Sequence, residues 1–292
     1  MSKAIMSNFL AGASSNAPST KMSDLQEIAA DTLARIPEIL DLADAPTTGY
    51  ICLRDRYTPL RSKFWPNLST RVRVVDEDSF DAAISLTNMR MTDNGDAAHV
   101  CVLNMANATT RGGGFLRGAI AQEEALCYRS TLYRTLKKHH YPLKAREAIY
   151  SPFVVIFREN QTNQYRMMDL QKPLPVVSVV SMAAIRDPEV NRRTNPPTFA
   201  DPEDREWTKE KMRVTLRVCA HNKHRDVVLG ALGCGAFGNP VHEVANCWAE
   251  VLDEQEFRGW FSNIVFAVMK GKNKTGFDNF DVFKQKLEGL KV

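Results

Sequence analysis

Five nearly continuous apolar runs mark the middle and end of the chain, at residues 99–106 (HVCVLNMA), 153–157, 175–180, 226–232 and 263–268. Short runs without polar alternation predict strands covered on both faces. Residues 71–75, RVRVV, alternate instead and predict a half-exposed edge strand. Elsewhere the apolar positions recur at helical spacing. Leu25, Ile28, Ala29, Leu33 and Ile36 predict an amphipathic helix that opens on a Ser23–Gln26 capping box and gives way to loop over 37–48. Further helices are expected at 79–89, 121–138, 202–221 with Asp201 as N-cap, 240–254 and 278–290. Strands alternating with helices predict an α/β protein: a three-layer α/β/α sandwich on a mixed, largely parallel sheet. Residues 1–20 are small and polar and read as a disordered tail. Residues 21–292 read as one domain, with a helical extension at about 21–70.

Composition narrows the class without naming a function. With 292 residues the chain can bury a sizeable core, and a net charge of +4 permits an anionic ligand without calling for a nucleic-acid groove. No apolar run is long enough to span a bilayer, and the N-terminus lacks a secretory apolar region. An intracellular protein, cytoplasmic or nuclear, is therefore expected. The six cysteines form no C-x-x-C pair and several lie in apolar stretches, which predicts buried thiols rather than disulfides or a zinc site.

The candidate chemistry lies in RGGGFLRGAIAQEEALCYRS, residues 111–130. Here a strand, a glycine triplet and a helix follow one another, the layout in which α/β sheets bind ligands at the carboxyl ends of strands. Glycines let backbone N–H groups approach an anion, and a helix N-terminus adds partial positive charge. The alternative for the triplet alone is a plain flexible loop. Ala121, Ala125, Tyr128, Leu132 and Leu136 form one helical stripe, expected to be buried. On that phase Glu124 flanks the stripe and Glu123 points nearly opposite its centre, so Glu124 is the carboxyl expected to be half buried; burial would raise it toward a general acid and the helix N-terminus would lower it. A solvated first turn is the bland alternative for the pair. A second turn, GALGCGAFGNP, leads from a strand through Gly233, Gly235 and Gly238 into a helix. It matches G-x-G-x-x-G, but it lies late in the chain and lacks a ribose-binding acid at the end of a following strand. Two such turns suit two lips around one phosphate-bearing ligand.

Together these segments resemble the microbial-type poly(ADP-ribose) glycohydrolases, whose pattern is a glycine triplet followed by Gln-Glu-Glu. Gly112, Gly113 and Gly114 are followed here by seven residues and then Gln122, Glu123 and Glu124. YSPFVVIFRE, VVSVVSMAA and GALGCGAFGNP resemble later segments of that family, in order, over roughly residues 25–285. The resemblance implies a macrodomain-like fold that binds ADP-ribose in a cleft. It implies Glu124 as catalytic acid, Glu123 holding the ribose hydroxyls, and Asn104 with Asn107 fixing the distal ribose. Gly112 to Phe115 and Gly233, Gly235, Ala236, Phe237 and Gly238 would enclose the diphosphate, with Phe237 against a ribose. Asp78 would accept from the adenine amino group. The chain departs from the family in carrying Arg111 where a proline usually precedes the triplet.

The implied reaction is hydrolysis of the ribose–ribose bond of poly(ADP-ribose), with ADP-ribose as product and neither cofactor nor metal. A hydrolase that frees ADP-ribose from other macromolecules, and a module that only binds it, are the competing functions. The Gln-Glu-Glu favours an enzyme. The paired histidines of KKHHYPLK suit a helix end rather than a metal site. KGKNKTGF lacks the first P-loop glycine, although Phe277 or Phe280 could stack on adenine from there. The four tryptophans, Trp65, Trp207, Trp248 and Trp260, read as core or interface residues.

Overall fold

The computed structural model describes residues 21–45, 48–52, 57–61, 66–90, 99–273 and 276–292; the expected tail and Trp65 lie outside them. Seven strands form one sheet in the order β1-β4-β5-β3-β8-β9-β2, where β1 is Tyr50–Cys52, β2 Arg71–Val75, β3 Cys101–Ala106, β4 Ala148–Val155, β5 Val176–Ala183, β8 Asp226–Leu229 and β9 Asn263–Ala267. Strands β5, β3, β8, β9 and β2 run parallel, while β4 pairs antiparallel with β5 and β1 with β4. A separate two-stranded ribbon joins β6 (Val190–Asn191) to β7 (Thr198–Phe199).

Apart from Phe153, which is 40% exposed, the apolar runs are strands buried on both faces, and their residues alternate between two cores. Cys101, Leu103, Val180 and Met182 face helices α5 (Pro202–His221), α6 (Val241–Asp253) and α7 (Asn279–Leu287). Val100, Val102, Val177 and Val179 face α1 (Met22–Ala43), α2 (Ser79–Arg90) and α3 (Gln122–Arg129). These are the three layers the pattern predicts. Strand β2 sits on the edge with alternate residues buried, also as read. Asp201 accepts the Glu203 N–H at 2.8 Å and Pro202 opens α5.

Several expectations need correcting. Helix α1 runs through Pro37 to Ala43, because Ile36, Ile39 and Leu40 continue its buried stripe. Its start is held by Asp24, which accepts the Lys21 N–H at 3.2 Å, rather than by Ser23. The span expected to be a helical extension also contributes β1. The helix expected over 121–138 breaks into α3 and the short α4 (Leu132–Thr135). Between them Ser130 pairs with Ile156, and Thr131 Oγ1 accepts the Val155 N–H at 3.0 Å, so the chain is drawn onto the sheet edge.

Candidate active site

Parallel β5, β3, β8 and β9 end at the same edge of the sheet, and the loops that leave them surround a cavity of about 520 Å³, a size common for small-ligand sites. Met105 of β3, Ala184 beyond β5, Ala231, Gly233 and Gly235 to Phe237 beyond β8, and Ala267 to Met269 contribute to its walls. Asp76 to Ser79 and Asp81, Ile120 to Gln122 with Ala125, Asn160 to Thr162, and Asn279 complete them.

The Gln-Glu-Glu at the start of α3 is a set of three side-chain clips on the backbone leading away from β3. Gln122 accepts the Met105 N–H at 2.9 Å and donates to Leu103 O at 2.8 Å. Glu123 Oε2 accepts the Asn107 N–H at 2.7 Å. Glu124 Oε1 accepts the Gly114 N–H at 2.6 Å. Both carboxylates are buried, Glu123 at 3% and Glu124 at 6% exposure, so they share an environment that the helical phase had divided. Ala121 and Ala125, expected to be buried, instead face the cavity. Burial, reinforced by the neighbouring Glu124 charge, pushes the Glu123 carboxyl up to about 8 against the pull of the Asn107 and Asn104 hydrogen bonds.

The first glycine turn packs against the carboxylates. Gly112, Gly113, Gly114 and Phe115 are buried and lie outside the cavity wall. Their amides donate inward: Gly113 to Thr110 O at 2.9 Å, Gly114 to Glu124, and Phe115 to Gly112 O at 3.0 Å. Phe115 packs on Tyr128 and Tyr133, with ring centroids 5.0 Å apart in each pair. The turn therefore clamps the carboxylates. The second turn does reach the cavity. Gly233, Gly235, Ala236 and Phe237 line it, nothing lies within 4 Å of where a Gly235 Cβ would stand, and Gly238 closes the turn by donating to Gly235 O at 3.2 Å. Gly233, at φ +78°, has no room for a β-carbon, which would meet the Asn239 amide at 2.5 Å.

Asn104 lies fully buried on β3 opposite Ser181, to whose Oγ it donates at 2.9 Å; it also donates to Glu123 at 3.4 Å. Its Oδ1 and Glu124 Oε2 are buried oxygens without a hydrogen-bond partner among the described residues, and such oxygens suit hydroxyl donors. The Asn107 carboxamide oxygen is occupied within its own loop, accepting from Thr109 N–H and Thr110 N–H at 2.9 Å each, so Asn107 positions Glu123 through its backbone.

Asp78 stands on the cavity wall, capping α2 through the Phe80 N–H at 2.8 Å and pairing with Arg129. Burial raises its carboxyl above the usual range, and Arg129 opposes that shift. Arg129 itself was not singled out from the sequence. It is fully buried on α3, paired also with Asp81 at 2.6 Å, and Asp81 in turn accepts from Asn160 at 2.6 Å. The Asp78–Asp81 spacing on α2 was the one available signal, and it reads equally well as a solvated helix start. Neither Phe277 nor Phe280 reaches the cavity: Phe277 packs edge-on against His242 at 4.6 Å, Phe280 is in the core, and Asn279 between them is the wall residue. Trp248 is in the core and Trp260 packs against it, while Trp207 lies under the Arg146 guanidinium at 4.8 Å. The five cysteines whose side chains are described are buried free thiols. His140 Nδ1 accepts the Lys137 N–H at 3.2 Å, and no group of metal-ligating side chains gathers among the described residues. Among those residues no helix is long and apolar enough to cross a membrane.

Residues 35–159 match the family model of the microbial-type poly(ADP-ribose) glycohydrolase (PARG) catalytic domain. The structure is similar to that of poly(ADP-ribose) glycohydrolase from Thermomonospora curvata, with a TM-score of 0.71 and 28% identity over 90% of this chain and 99% of that one. The same enzyme bound to the inhibitor ADP-HPD gives a TM-score of 0.69 at 27% identity over the same shares of the two chains. The Deinococcus radiodurans poly(ADP-ribose) glycohydrolase in complex with ADP-ribose gives 0.65 at 26% identity, over 84% of this chain and 96% of that one. No curated protein matches the sequence. The fold is thus the macrodomain-like one that the resemblance implied.

Proposed function

We propose that the chain is a poly(ADP-ribose) glycohydrolase that cleaves ribose–ribose O-glycosidic bonds and releases ADP-ribose, with Glu124 as general acid and base. One observation carries the assignment of roles. Glu124 is held by a single backbone donor on Oε1 while its Oε2 is buried and, like Asn104 Oδ1, has no partner among the described residues. Both oxygens of Glu123, by contrast, already accept N–H bonds.

The chemistry follows from that asymmetry. Burial raises the Glu123 carboxyl to about 8, so Glu123 holds a proton at neutral pH. Glu124 Oε2, which has no hydrogen-bond partner among the described residues, is the oxygen we assign to protonating the leaving ribose oxygen as the anomeric carbon gains oxocarbenium character. The resulting carboxylate then takes a proton from the attacking water. Glu123 and Asn104 hold the ribose hydroxyls, and the Gly233–Gly238 turn, whose walls are small and open to the cavity, takes the diphosphate. Asp78 stands on the wall of the same cavity, where an adenine amino group would donate to it. The relatives bound to ADP-ribose and to ADP-HPD support a ligand of this class in this cleft.

The experiment is to incubate wild-type protein and Glu124→Gln with poly(ADP-ribose), and separately with singly ADP-ribosylated protein. Release of ADP-ribose from polymer by the wild type, and its loss in a variant that still binds ADP-ribose, is the expected result. Intact polymer with cleavage of the single modification would replace the polymer as substrate; near-normal activity of Glu124→Gln would remove Glu124 from its role.

A further inference from the structure

The charge around the glycine triplet is one-sided. Between Asn107 and Ala145 the chain carries seven lysines and arginines, and its only acids there are Glu123 and Glu124. Those two are buried against Gly113, so the exposed charges of this stretch are all cationic. Arg111, directly before Gly112, lays its guanidinium 3.8 Å from the Tyr133 ring centroid and donates through Nε to Tyr133 O at 3.1 Å. Tyr133 is the residue against which Gly112 is packed, leaving 2.7 Å to an added β-carbon. Arg134 follows on α4, and Lys137 and Lys138 follow on the next turn. On the other side of the triplet Arg117 brings Nη2 within 3.8 Å of the position a Gly114 Cβ would take, where Glu124 Oε1 is also near, at 3.5 Å.

These cations lie close enough to oppose one another. Burial and then the neighbouring Arg134 and Arg111 charges lower Lys137. None of Arg111, Arg117, Arg134, Lys137 or Lys138 has a carboxylate partner among the described residues, whereas Arg205, Arg213 and Arg217 on α5 are all paired with glutamates. Like charges held together cost stability, and a polyanion laid across them removes that cost.

We propose that this patch, formed by Arg111, Arg134, Lys137 and Lys138, binds the diphosphate of the ADP-ribose unit attached through the scissile bond. The proposal rests on the glycohydrolase reading, since it places the remainder of the polymer just outside the carboxylates. A bound terminal unit fills the cavity with its own diphosphate, so the phosphates of the next unit emerge beyond Glu124, where the triplet and its cationic rim begin. The patch thereby selects polymer over substrates whose leaving group carries no phosphate.

The test reverses two exposed charges that touch neither the carboxylates nor the cavity, Arg134→Glu with Lys138→Glu. Rates are measured on poly(ADP-ribose) and on an aryl ADP-riboside, whose leaving group has no phosphate, and affinities are measured for polymer and for free ADP-ribose. The expected result is a loss of about tenfold in kcat/KM and in affinity for polymer, with a shallower salt dependence, and no change for the aryl riboside or for ADP-ribose. Equal losses on both substrates, or none on polymer, overturn the proposal. A single-stranded oligonucleotide that binds the patch as tightly as polymer does, and displaces it, overturns it in favour of nucleic acid. Should the wild type cleave neither substrate, the glycohydrolase reading fails, while the polymer affinities of wild type and variant still decide the patch.

Discussion

A β-carbon on Gly113 would come within 2.2 Å of Glu124 Oε1 and 3.0 Å of Glu123 Oε2, so the middle glycine of the triplet is the floor on which both carboxylates rest. The relationship explains why a flexible tripeptide accompanies adjacent acids. The backbone must approach a buried carboxylate closely enough for Gly114 to donate to it at 2.6 Å, and at φ +57° only glycine does so without strain.

Gly113→Ala tests that relationship. The added methyl must displace the Glu124 carboxylate, and a displacement on the order of 1 Å lowers rates about a hundredfold. We expect a fall in kcat of at least that order, a stability loss of about 1–2 kcal/mol from the left-handed backbone, and retained affinity for ADP-ribose. Steady-state rates with a thermal melt check this. A variant with wild-type kcat would show that the clamp does not set the acid's position.

Gln122→Ala removes the clip between α3 and β3, leaving the Met105 N–H and Leu103 O without their partner. Unpaired groups of this kind cost about 1–3 kcal/mol. Because the same clip aims the helix start, kcat should fall more than KM rises. Gln122→Glu keeps the acceptor for Met105 but sets a carboxylate against Leu103 O, and it should rescue neither. Urea unfolding and steady-state kinetics on the two variants separate the stability effect from the catalytic one.

The parts of the site that the sequence discloses are those whose signal is local. Residues 122–124, the second glycine turn and the parallel core strands are all legible, because each rests on spacing within a dozen residues or on unbroken apolarity. What the sequence conceals depends on tertiary neighbours. Ala121 and Ala125 carry the same apolar signal whether they face a core or a ligand cavity, and here they face the cavity. The break at Ser130 follows from pairing with Ile156, a partner 26 residues away. Strand β1, Tyr50–Cys52, is too short to show a period. Arg129 reads as an ordinary helical charge until Asp78 and Asp81 are seen converging on it.

Arg129 therefore supplies the third prediction. Its guanidinium is fully buried between two carboxylates that keep 16% and 28% side-chain exposure. Replacing one partner of a buried pair costs about 3–5 kcal/mol, and the residual exposure of the aspartates puts Arg129→Met near the lower end. Since Asp78 stands on the cavity wall, the variant should also raise KM for ADP-ribose-bearing substrates more than it lowers kcat. Arg129→Lys, which restores charge but not the forked geometry, should recover stability in part and KM less. Recovery of both by lysine would show that charge alone suffices.

The last prediction concerns pH. Glu123 is raised from an ordinary 4.5 to about 8 by burial and by its neighbour Glu124. A carboxyl that holds its proton more tightly when folded contributes stability that is complete below the unfolded value and is lost as pH rises through the folded one. The window is thus roughly pH 4.5 to 8, with about 1.4 kcal/mol at stake for each unit crossed, and stability falls toward the alkaline end. Glu123→Gln has no proton to lose there and keeps an acceptor for the Asn107 N–H. Its melting temperature should match the wild type near pH 5 and exceed it by several degrees near pH 9. Parallel melting curves across that range would mean that Glu123 ionises without penalty and holds no proton at neutral pH.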